Sequence, residues 1–206
     1  MITAIGDVMR ECYKRGWITT RDGNCSLRRT GENKIYITPS GCRKNIIHPE
    51  NIVKIIYREK DDKLLHGKNT SPSGELEMHW QLLKNSKSTR CVLHVHPTNI
   101  VAAMFVGWSL PEAAAEFPEV YRYTRVGPNV PSLPAISQEL ADATSEAFGL
   151  NDGKIEYDVV GQANHGICAV GSNPWDAFEH IERLEHICQI VLNSGVRPSI
   201  IQTTPV

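Results

Sequence analysis

Apolar residues along this chain recur first at helical spacing, then in short strand-like runs, and the two alternate to the end. Ile5, Val8, Met9 and Cys12 give Thr3 to Arg15 one apolar face, and Gly16 suits the helix end. A turn from Thr20 leads into a strand through Leu27, followed by strands at Lys34 to Thr38 and Asn51 to Tyr57. Asp61 to Lys68 is charged and predicts an exposed hairpin. Glu75 to Lys84 reads as a helix with Leu76, His79, Leu82 and Leu83 inward. The apolar run Arg90 to Val95 predicts a buried strand that ends before Pro97, and Thr98 to Phe105 a short helix. Tyr121 to Val126 alternates like a strand. Ser137 caps a helix to Phe148, Lys154 to Val160 predicts a strand, Gly161 to Gly166 a tight turn, and Ile167 to Val170 a buried strand. The last helix has Asn173 as N-cap, Pro174 in its first turn and an apolar stripe through Ala177, Ile181, Leu184, Ile187, Cys188 and Val191. Residues after Pro198 read as a tail.

No repeat, low-complexity tract or linker interrupts the 206 residues, so residues 1–206 are expected to form a single α/β domain. A formal net charge of −1 argues against a dedicated nucleic-acid binder. No apolar stretch is long enough to span a bilayer, and Met1 to Trp17 lacks a signal-peptide core. Six cysteines without a CxxC pair fit reduced thiols in a cytoplasmic protein.

Chemistry concentrates in a few places. His94 and His96 lie two apart on a strand, so both face one side and can supply two ligands to one metal ion, or serve as hydrogen-bonded core histidines. His165 sits in a glycine-bounded turn and can supply a third. Glu75, at a helix start, is the best carboxylate to complete such a site as base or fourth ligand. His79, one helical turn later, is expected to pack beside the site or orient it. His48 and His66 read as surface residues, and His180 and His186 as solvated or capping. Three loops rich in Gly, Ser, Thr and Asn suit a phosphate, though each alone could be an ordinary turn.

Five short motifs in order give these residues a context: Gly23-Asn24-Cys25-Ser26, Thr38-Pro39-Ser40-Gly41, Pro72-Ser73-Gly74-Glu75 with Met78-His79, His94-Val95-His96-Pro97, and Asn164-His165-Gly166. Together they resemble the class II aldolase/adducin family, and within it the L-fuculose-phosphate aldolases, from the first helix to about Ser194. The resemblance implies a mostly antiparallel central sheet flanked by helices. It implies a homotetramer with active sites at subunit interfaces and one Zn²⁺ per subunit held by His94, His96 and His165. Glu75 would be the acid/base, and Asn24, Ser40, Gly41, Ser73 and Gly74 would hold the substrate phosphate. The implied reaction is that of a lyase cleaving a ketose 1-phosphate, L-fuculose 1-phosphate first, to dihydroxyacetone phosphate and a small aldehyde through a metal-stabilised enediolate.

Three positions depart from the family pattern. Gly74 replaces the second serine of Ser-Ser-Glu, and Asn164 the first histidine of His-His-Gly. The tyrosine that protonates the leaving oxygen has no clear counterpart, since Pro111 to Tyr123 offers only Tyr121 and Tyr123. Methylthioribulose-1-phosphate dehydratase and sugar-acid phosphate decarboxylase therefore stay open as related chemistries. L-ribulose-5-phosphate 4-epimerases, which typically carry aspartate at the Glu75 position, are disfavoured. An adducin-like interaction domain is disfavoured by the complete histidine set.

Overall fold

The computed structural model describes residues 2–29, 31–86 and 88–195, so the expected tail after Pro198 lies outside them. In chain order the elements are α1 (Ile2–Lys14), β1 (Asn24–Arg28), β2 (Lys34–Ile37), β3 (Val53–Arg58), β4 (Lys63–Leu65), α2 (Leu76–Asn85), β5 (Cys91–Val95), α3 (Thr98–Phe105), α4 (Leu110–Ala115), α5 (Pro118–Tyr123), α6 (Gln138–Ala147), β6 (Val159–Gln162), β7 (Gly166–Gly171) and α7 (Pro174–Ser194). The strands form one seven-stranded sheet in the order β4-β3-β2-β1-β5-β7-β6, and every neighbouring pair is antiparallel.

Strand alternation sorts side chains between two layers. Cys25, Leu27, Cys91, Leu93, Val95, Ile167 and Ala169 pack with α1, α3 and α7 on one face. Val92, Cys168 and Val170 pack with α2 and α6 on the other. Both faces of β5 are therefore covered, which explains its unbroken run of buried residues. The helix caps fall where their chemistry directs. The Ser137 hydroxyl accepts from the Leu140 amide, and the Asn173 carboxamide oxygen from the amides of Trp175 and Asp176.

Two expected elements differ. Tyr121 to Val126 is not a strand: Pro118 opens the helix α5, in which Val120 alone is buried, and the segment joins the sheet at its end, where the Arg125 carbonyl accepts from the Val159 amide at 3.3 Å and Val126 bridges Val159. Alternation over six residues was too short to outweigh the N1 proline. The strand expected at Lys154 to Val160 begins only at Val159 and continues through Gly161 and Gln162, which pair with Ile167 and Gly166. The turn is correspondingly shorter, with Asn164 in the left-handed region at φ 58°, a conformation asparagine tolerates.

Candidate metal centre

The histidines converge because of strand register. Asn24 of β1 stands opposite His94 of β5, and His94 opposite Cys168 of β7. His165 precedes β7 by one residue, so it returns to the same end of the sheet. Gly166 permits this crowding: a Cβ there would lie 2.5 Å from the Val95 carbonyl oxygen and 2.6 Å from Cδ2 of His96. One potential ligand atom from each of His94, His96 and His165 lies within 4.8 Å of the others.

Protonation follows from the hydrogen bonds. His94 Nδ1–H donates to the Ile167 carbonyl at 3.1 Å, which leaves Nε2 as a lone pair. That lone pair faces His96 Nε2 at 3.0 Å. Burial, reinforced by the other two imidazoles, pushes His94 well below the usual histidine range. Burial, then His165, lowers His96 as well. Neutral imidazole is the form that binds a metal.

Glu75 is the N-cap residue of α2 and is 9% exposed. Its Oε2 lies 3.5 Å from His94 Nε2, and its Oε1 lies 3.9 Å from His165 Nε2. With His94 neutral, the first contact sets a carboxylate oxygen against a lone pair, an unfavourable pairing unless a cation lies between. Glu75 Oε1 and His165 Nδ1 are both buried without a hydrogen-bond partner among the described residues. Three imidazoles, a free carboxylate oxygen and orphaned buried atoms fit a metal ion with an open coordination position.

A buried polar chain runs away from Glu75. Asn24 Nδ2 donates to Glu75 Oε2 at 2.6 Å, because a carboxylate only accepts. Asn24 Oδ1 then accepts from His79 Nε2–H. Burial pushes His79 down to about 3, so its Nδ1 is a lone pair that accepts from the Ser26 hydroxyl at 2.6 Å. His79 thus packs beside the site and is not among the clustered histidines.

The small-residue loops meet beside this cluster. Ser40 N donates to Ser71 O at 2.9 Å, and Ser73 N to Thr38 O at 3.0 Å. Glu75 N donates to Ser73 Oγ at 3.3 Å. Arg21 Nη1 donates to Gly41 O at 2.9 Å, and the buried Lys44 donates to the carbonyls of Arg21 (3.0 Å) and Cys42 (3.3 Å). Ser40, Gly41 and Gly74 are exposed, while Ser73 and Asn24 are buried. Tyr121 and Tyr123 are 59% and 50% exposed on α5. Sequence reasoning did not find the chain through Ser26 or the role of Lys44. The alternation of Asn24 and Ser26 on one face of β1, opposite His79, was the available signal for the first; a lysine in a polar turn gave none for the second.

Residues 3–192 match the family described as class II aldolase and adducin N-terminal domain, and the chain belongs to that family. It is 29% identical over 171 residues to a 5-deoxy-D-ribulose 1-phosphate aldolase of Bacillus thuringiensis serovar kurstaki, covering 82% of this chain and 73% of that one. It is 28% identical over 189 residues to an L-fuculose phosphate aldolase of Methanococcus maripaludis, covering 92% and 94%. The solved sugar-phosphate aldolase of Thermotoga maritima superposes with a TM-score of 0.78 at 23% identity, over 96% and 97% of the two chains. Other relatives are named as a decarboxylase and a dehydratase.

Proposed function

We propose that this protein is a zinc-dependent lyase that splits a ketose 1-phosphate, with L-fuculose 1-phosphate as the leading substrate, into dihydroxyacetone phosphate and a small aldehyde. The observation that carries the reading is Glu75 Oε1: a buried carboxylate oxygen with no partner, facing three clustered histidines. His94, His96 and His165 would hold the metal. When bound, the ion supplies Lewis-acid stabilisation of the negative charge that bond cleavage leaves on the carbonyl end of the sugar.

The chain's own residues supply the rest. Breaking the C3–C4 bond sends its electron pair toward the C2 carbonyl, and C3 must then gain a proton. Glu75 has one oxygen tied to Asn24 and one free, so Oε1 is the atom that carries this proton to or from carbon. Ser40, Gly41, Ser73 and Gly74, with Asn24 at the inner edge, would bind the phosphate through the serine hydroxyls and the backbone N–H groups of the two glycines beside the start of α2, where a helix N-terminus favours an anion. The subunit would work within a homotetramer, where a neighbour would supply the group that takes the C4 hydroxyl proton as the aldehyde forms.

Release of dihydroxyacetone phosphate from L-fuculose 1-phosphate, measured with and without a chelator, tests the reading. Chelator-sensitive release is expected. No release from metal-loaded protein would overturn the L-fuculose assignment. A panel of 5-deoxyribulose 1-phosphate, methylthioribulose 1-phosphate and a 3-oxo-tetronate 4-phosphate then separates a different aldol substrate from dehydration or decarboxylation.

A further inference from the structure

The small-residue loops carry no charge to match a phosphate. A sugar phosphate bears about two negative charges at neutral pH, whereas Asn24, Ser40, Gly41, Ser73 and Gly74 offer only neutral donors. Their surroundings add negative charge, since Asp22 and Glu75 both act on His96 through theirs. Three cations lie in the turns that meet there, and the structure separates them. Lys44 is 2% exposed, and its amine is spent on the carbonyls of Arg21 and Cys42. The exposed Arg43 has no side-chain hydrogen bond to the loops among the described residues. Arg21 is exposed too, yet its Nη1 donates to the Gly41 carbonyl at 2.9 Å, which sets the guanidinium beside the Gly41 turn. Its backbone is fixed as well: Lys44 Nζ holds the Arg21 carbonyl at 3.0 Å, and Lys44 N donates to Thr20 O at 2.8 Å. The bond to Gly41 leaves most of the fork of donors that a guanidinium carries open to an anion.

We propose that Arg21 is a specificity-determining residue: it supplies the positive charge for the substrate phosphate at the Ser40–Gly41 rim, where Gly74 offers no hydroxyl, and so favours a phosphate ester over the free sugar. This rests on the reading of the small-residue loops as the phosphate site. An arginine suits the task because its planar fork matches phosphate oxygens, and charge-assisted bonds of this kind are about twice as strong as neutral ones. Tying one nitrogen to Gly41 beforehand reduces the side-chain ordering that binding would otherwise require.

The experiment pairs kinetics with phosphate binding on the full-length, metal-loaded protein. Arg21→Gln removes the charge and keeps an N–H donor for Gly41. The KM for the ketose 1-phosphate and the inhibition constant of inorganic phosphate should both rise about tenfold or more, with kcat within about threefold. Arg21→Lys should recover part of the loss, because it restores the charge without the fork. Added salt should weaken phosphate inhibition of the native protein more than that of Arg21→Gln; a residue that only braced the Gly41 turn would not alter this dependence. Arg43→Gln should leave both constants as they are. Unchanged constants in Arg21→Gln, or an equal loss in Arg43→Gln, would overturn the proposal. The second arm needs no turnover: inorganic phosphate should raise the Tm of the native protein, and raise that of Arg21→Gln by less. An equal shift in both, or none in either, would sink the proposal even if the protein cleaved no sugar phosphate. If the shift depends on Arg21 and no substrate turns over, the fault lies with the proposed reaction.

Discussion

The two ends of β5 and β7 make an instructive contrast. At one end, where Cys91 pairs with Gly171, a cleft of about 350 Å³ is lined by Arg125, Asp158, Glu179, His180 and Arg183. At the other stand Glu75 and the three histidines. The first is the more charged, yet its groups are paired. Arg125 binds Asp158 at 2.5 Å, Arg183 binds Glu179 at 3.1 Å, and His180 meets Thr124 Oγ1 at 2.9 Å. At the second, two buried atoms have no partner. Paired charges with solvent nearby hold structure, whereas unpaired buried atoms beside clustered metal-ligating side chains mark a candidate binding place. Charge alone would point to the other end.

Replacing His94 or His165 with alanine is the most forceful way to break this contrast. Each variant should fold with an unchanged circular dichroism spectrum, lose stoichiometric metal by elemental analysis and lose activity. Full metal content in both would remove the centre. Next comes Glu75→Gln, which should keep the metal and lower kcat by about 10²-fold or more; normal turnover would show that the free oxygen has no chemical role.

At the far end the effect should be on stability and smaller. Burial opposes ionisation of Asp158, but its hydrogen bonds to Arg125 outweigh this and hold the carboxyl below the usual aspartate range. A depressed folded-state value means that the contribution is present above the unfolded value of about 4 and is lost as pH falls through the folded one. Because Arg125 is more than half exposed, Asp158→Asn should cost only about 1 kcal/mol at neutral pH, or about 3 °C in Tm, with the difference shrinking toward pH 3. Activity should not change. The smallest effect is expected for Gly74→Ser, which returns a hydroxyl to the phosphate loop. Its Cβ would meet Ile136 Cδ1 at 3.0 Å, but Ile136 is 66% exposed and can move. A KM lowered by about threefold at constant kcat is the expected result, in line with one hydrogen bond.

Much of this was legible in the chain. HxH on a buried strand put two imidazoles on one side, Pro97 closed that strand, and Ser137 and Asn173 announced their helices. What was not legible depended on meetings between distant segments. Asn24 read as one of several loop donors because nothing in its neighbourhood reveals His79 or Glu75. His180 read as solvated or capping, since helix spacing cannot show that Thr124 would meet its Nδ1. Lys44 is 2% exposed only because the turns at Arg21 and Cys42 close over its amine.

The register that aligns Asn24 with His94, and His94 with Cys168, has a consequence for how the molecule is made. The Asn24–Glu75 bond spans 51 positions of chain and the His94–Ile167 bond spans 73. No early fragment emerging from the ribosome can hold all three imidazoles, and the last arrives only when β7 has docked on β5. Loop closures of this length are slow compared with forming α1 or α7. An ion held by these histidines would therefore be captured last in maturation: a scavenger present during refolding should leave the rate of sheet formation untouched and withhold only the final step.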